Sequence, residues 1–95
     1  GMGSGSWLAL VGTMEKAHAA GDIALLETEV DPVLRVLRAH GFDIASVHNH
    51  TLGEEPRLFF VHFLSFGPAE SLAKGFRAAM DELGRHGRKR KKMDH

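Results

Sequence analysis

Ninety-five residues, 43% apolar and 25% charged, make one globular domain with an adequate but small core. The absence of cysteine excludes disulfides, thiolate metal sites and cysteine nucleophiles, and no apolar run reaches the length of a membrane span. A net charge of zero hides an asymmetry: the last eleven residues, RHGRKRKKMDH, hold six of the twelve Lys and Arg and one of the twelve acids, so they carry +5 against −5 in residues 1–84.

Residues 1–5 read as a cloning remnant followed by a flexible polar lead, residues 6–84 as the folded unit, and residues 85–95 as a basic disordered tail. No charged-then-apolar leader precedes the domain, so the chain as it stands is expected to be cytoplasmic. WLALVGT (7–13) predicts a first strand, MEKAHAAG reads as a loop or weak helical turn, and DIALLE (22–27) predicts a second strand. In TEVDPVLRVLRAHG, Val30, Val33, Leu34 and Leu37 fall at i, i+3, i+4 and i+7, the stripe of an amphipathic helix. Thr28 with Asp31 resembles a capping box, Pro32 suits a first turn, and Gly41 supplies the stop.

FDIASVHNH (42–50) and RLFFVHFLSF (57–66) are the third and fourth strands, joined by the hairpin loop TLGEEP. A last helix starts at Pro68, keeps its apolar spacing through Leu72, Phe76, Ala79, Met80 and Leu83, and ends at Gly84. Gly75 inside it weakens the helix by roughly 1 kcal/mol, which a close packing contact would explain. The order ββαββα predicts an α+β fold, a four-stranded antiparallel sheet with both helices on one face. Phe59, Val61 and Phe63 on one side of the fourth strand and Leu58, Phe60 and Leu64 on the other leave both faces apolar, so a second cover is expected. A homodimer through the sheet face is the simplest one.

GDIALLETEVDPVLRVLRAHG, VHNHTLGEEPRLFFVHF and LAKGFRAAMDEL, with GSW before them, resemble the bacterial family of unknown function typified by the LppY/LpqO lipoproteins of mycobacteria. Members of that family tend to be longer, often join this unit to a related preceding half, and are often exported. The resemblance implies that His48, His50, Glu54, Glu55, Pro56, Arg57 and His62 occupy the motif's characteristic positions, and it assigns none of them a role.

His48 and His50 stand about 7 Å apart on one face of a strand by its rise. His62 joins that face if the hairpin sets His50 opposite an even-numbered residue, and leaves it if His50 sits opposite Arg57. Glu54 or Glu55 would then add an oxygen to a histidine set suited to a divalent zinc, manganese or iron ion. Arg57 reads either as an ion-pair partner of Glu54 and Glu55 or as a clamp for an anionic small-molecule ligand. Two functions follow. One is a small ligand- or metal-binding domain with its site on this hairpin: His48, His50 and His62 for the metal, Glu54, Glu55 and Arg57 for the ligand. The other is a non-enzymatic homodimerisation module in which the histidines are structural. His18, His40 and His86 read as loop or helix-end residues. The dispersed HNH nuclease signature and a metal-dependent hydrolase barrel do not fit this chain. Ser46 lacks a nucleophile-elbow context, and the RKRKK tail lacks the interleaved aromatics of a specific nucleic-acid module.

Overall fold

A computed structural model describes residues 5–50 and 58–85. The elements are β1 (Trp7–Gly12), β2 (Ala17–Leu26), α1 (Glu27–Ala39), β3 (Asp43–His50), β4 (Leu58–Gly67) and α2 (Ala69–Arg85). The strands form one antiparallel sheet in the order β1-β2-β4-β3, so two hairpins, each followed by a helix, meet along β2 and β4. This is the expected α+β architecture.

The covered face is set by alternation along the two central strands. Ala17, Ala19, Ile23 and Leu25 of β2 and Val61 and Phe63 of β4 are buried with Val33 and Leu37 of α1 and Leu72, Ala79 and Leu83 of α2 in a single cluster. Each fully buried large aliphatic or aromatic side chain here stabilises the fold by roughly 1.5–3 kcal/mol. The helical stripes read from the sequence are the ones that pack inward, because only those positions repeat on one side of each helix.

β2 is longer than expected. It starts at Ala17, so the stretch MEKAHAAG divides into a turn and the first half of a strand. Thr13 holds that turn: its N–H donates to the Lys16 carbonyl at 3.0 Å, and its Oγ1 accepts from the Lys16 N–H at 3.0 Å. Alanine and glycine carry little strand propensity of their own, and pairing with β1 and β4 on both sides overrides it. Small residues are what this end of β2 requires. A Cβ on Gly21 would meet the Trp7 carbonyl oxygen and come within 2.5 Å of the Phe63 ring, which lies against the bare backbone. His18, expected in a loop or helix end, is therefore a strand residue.

Three helix-end assignments change. The N-cap of α1 is Leu26, and Glu29 at the third helical position accepts the Leu26 N–H at 2.6 Å, so Thr28 and Asp31 do not form the capping box. Glu29 is fully buried there, where its carboxylate meets the positive end of the helix dipole. Pro32 consequently sits in the second turn instead of the first, inside the helix. α2 runs through Gly84 to Arg85, so that glycine does not stop it. Gly41 does end α1. It adopts φ +83°, and the Phe42 N–H bonds the Leu37 carbonyl while the Gly41 N–H bonds the Arg38 carbonyl, a Schellman motif. Phe42 thus belongs to the helix stop, and β3 begins one residue later. Its ring fills the space a Cβ on Gly75 would occupy, 2.6 Å from that position, which is the packing contact α2 needed.

Candidate functional site

The even-numbered residues of β2 and β4 form the face away from the helices. Its central row crosses all four strands in register: Trp7, Asp22, His62 and Ser46. His62 and Asp22 are joined, His62 Nδ1–H donating to Asp22 Oδ1 at 2.7 Å, with 37% and 31% of their side chains exposed. Because a carboxylate only accepts, this bond places the neutral ring's proton on Nδ1 and leaves a lone pair on Nε2. The dyad's neighbours are small or apolar on β1, β2 and β4 and polar on β3. Ala24, Phe60 and His48 form the row on one side, and Ala9, Ala20, Leu64 and Asp43 the row on the other. Beyond these, the His18 ring tilts against Phe66 with centroids 4.5 Å apart.

His48 reaches this face through an irregularity. Asp43 pairs with Leu64 and Ile44 with Phe63, whereas Ser46 pairs with His62 and His48 with Phe60; an extra residue, Ala45, lies between the two registers. Before this bulge the odd-numbered residues of β3 match the open side; after it the even-numbered ones do. Without the extra residue His48 would share the side of Ile44. His50 pairs with the even-numbered Leu58, which satisfies the register condition for His62 to lie on the same side as His48.

His48 and His62 are diagonal neighbours across β3 and β4, about 7–8 Å apart at the backbone. Their rings attend to different partners: His62 is bonded to Asp22, and His48 stacks on Phe60 at 5.9 Å with the planes 19° apart. Among the described residues no group of three or more His, Asp or Glu side chains is placed to hold a metal ion. Glu54, Glu55 and Arg57, the expected ligand contacts and ion pair, lie outside the described residues, as does the His50 side chain. Ser46 flanks His62, yet among the described residues no hydrogen bond links the two, so a serine–histidine–aspartate relay is not assembled.

The residue that sequence reasoning passed over is Asp22. Its signal was present: a lone charge interrupts an otherwise apolar run, GDIALL, in which every neighbour packs or is small. A charge at a strand centre asks for a partner, and pairing with β4 supplies it forty positions away.

Among the described residues no helix is long and apolar enough to cross a membrane. No curated protein and no solved structure shows significant similarity to the chain. Residues 1–82 match the family model described as Domain of Unknown Function (DUF1259), and the chain belongs to that family.

Proposed function

We propose that the domain binds a small molecule on the open face of its sheet, with Asp22 and His62 as the polar centre of the site. The observation that carries this reading is the 2.7 Å bond from His62 Nδ1 to Asp22 in the middle of the sheet face away from the helices. A carboxylate that fixes the tautomer of a histidine leaves Nε2 ready to accept a hydrogen bond or proton, or to ligate a metal. Trp7, Phe60 and Leu64 offer apolar walls, and the small side chain of Ala20 leaves room beside the dyad, whereas Ala24 is buried under Gly5 and Ser6. In its metal form, the reading gives His62 as one ligand of a divalent zinc, manganese or iron ion, with His48, His50 and a carboxylate from Glu54 or Glu55 completing the set. Arg57 would then hold an anionic group of the ligand. The LppY/LpqO type is the branch of the family that the quoted motifs support.

The test is a titration of the purified protein with zinc, manganese and ferrous ions and with a library of small aromatic acids, followed by NMR of the imidazole signals. Binding is expected to move the His62 signals first and to be lost in His62→Ala. A metal-free protein that no ion stabilises would remove the metal form. A library in which no binder perturbs His62 would remove the site.

A second reading, a homodimerisation module, is favoured by the apolar exposure of the same face. Trp7, Val11, Leu64 and Phe66 are 46%, 69%, 44% and 56% exposed. Two faces laid together would cover them.

A further inference from the structure

The two edges of the sheet are not equivalent, and the difference identifies a second interaction surface. β3 is blunted as an edge. It carries the bulge at Ala45, begins with Asp43 and contains His48 and His50. These are the devices that keep an unpaired strand from recruiting another. β1 has none of them. Trp7–Gly12, WLALVG, contains no charge and no proline, and it pairs with β2 residue for residue from Trp7↔Asp22 to Gly12↔Ala17. Its other side has no ladder partner among the described residues.

Apolar exposure collects at this same edge. Of the seven large hydrophobic residues exposed in the described chain, Trp7, Leu10, Val11 and Met14 belong to β1 and its turn. The helix side of the strand is also incompletely covered. One groove of about 410 Å³ lies between Leu8 and the Phe76 and Met80 side of α2, and another of about 400 Å³ lies between Leu10, Met14 and Ala69. Alternate residues of β1 therefore border open grooves, and the remaining ones sit on the open face.

We propose that β1 is the pairing edge of a homodimer, adding antiparallel to β1 of a second copy about a two-fold axis so that the two sheets become one. A second copy fits better than an unrelated strand for two reasons. Antiparallel pairing of a strand with itself is isologous, so the same apolar residues serve both sides and the register closes at two chains. The charges bordering the edge are also self-complementary. The groove beside Leu8 is bordered on α2 by Arg77 and Asp81, one base and one acid, so an offset two-fold pairing sets Arg77 of one copy toward Asp81 of the other. The proposal is independent of the ligand site, because edge pairing leaves both open faces uncovered on the same side of the joined sheet.

The chain holds no cysteine, so single-cysteine variants report pairing between molecules alone. Leu8→Cys, Ala9→Cys and Leu10→Cys would be oxidised mildly one at a time, beside Ala20→Cys on the open face and Ala45→Cys on the β3 edge. At least one β1 position is expected to form covalent dimer on the order of tenfold faster than Ala20→Cys and Ala45→Cys, because only paired backbones hold two Cβ atoms in bonding range. Sedimentation of the unmodified protein should show a dimer, and Val11→Lys should raise its dissociation constant by on the order of tenfold or more. A monomer at high micromolar concentration would overturn the proposal. So would fastest cross-linking at Ala20, which would instead indicate face-to-face pairing, or equal rates at all five positions.

Discussion

The two faces of one sheet, built from the same four strands, have been given opposite tasks. On the helix side β2 contributes Ala17, Ala19, Ile23 and Leu25, all buried, and β4 contributes Val61 and Phe63, both fully buried. On the open side the same two strands contribute His18, Asp22, Phe60, His62, Leu64 and Phe66, a mixture of rings and titratable groups. The hydrophobic content of β4 is nearly the same on both sides; what differs is cover and the presence of partners for polar groups. Apolar character alone thus does not say which face is core. The charge at the centre of the sheet sits on the face away from the helices, since an isolated charge under the helices would lose its hydration without return.

The largest effect that would sharpen this contrast comes from the neighbouring phenylalanines of β4. Phe63→Ala is expected to destabilise the fold by roughly 3–5 kcal/mol, because the ring is fully buried and lies against Gly21 and Phe42. Phe60→Ala, on the partly exposed side, should cost about 1 kcal/mol. Urea unfolding of both variants measures the ratio, and equal losses would mean that the open face is covered in solution. Next comes Gly21→Ala, where the new methyl meets the Trp7 carbonyl and the Phe63 ring. Overpacking there should cost about 1–3 kcal/mol, read by the same method. An unchanged midpoint would mean that the ring moves aside freely.

Glu29→Ala comes third, at roughly 1–2 kcal/mol, since it removes the acceptor of the Leu26 N–H at the start of α1. The smallest change in stability belongs to the open face. Asp22→Ala should alter the melting temperature little, because the pair is partly exposed. Its readout is the ring itself: ¹⁵N NMR should show the Nδ1–H tautomer of His62 in the parent protein and its loss in the variant. A large stability loss with an unchanged tautomer would make the pair a structural strut and break the distinction between the faces.

The element order, the helical stripes and the sides of Phe59 to Leu64 were legible in the sequence because each rests on local periodicity. The first half of β2 was not, since alanine and glycine signal nothing by themselves and acquire strand geometry from neighbours on both sides. The helix start was missed for a related reason. Thr28 offered a familiar cap, but the chain leaves β2 at Leu26 and enters the helix at once, so the buried Glu29 does that work. As for the candidate site, the alternation of β4 pointed to His62, whereas its partner Asp22 lies in another hairpin. The bulge at Ala45 escaped entirely, because an inserted residue with a small side chain leaves no compositional mark, although it decides which side His48 takes.

The union of β2 with β4 also sets the order in which the chain can assemble. Ala17 pairs with Gly67 and Leu26 with Leu58, so the middle of the sheet is closed by the residues most distant in sequence, whereas β1–β2 and β3–β4 are local hairpins. Each hairpin with its following helix is a half able to form quickly, and joining the halves requires closure of a long loop before any central contact is gained. The meeting of the two halves is therefore the step expected to limit the folding rate. Destabilising substitutions within either hairpin, the β1 edge included, should then slow folding, while those at the central seam, such as Ile23→Val or Val61→Ala, should divide their effect between folding and unfolding.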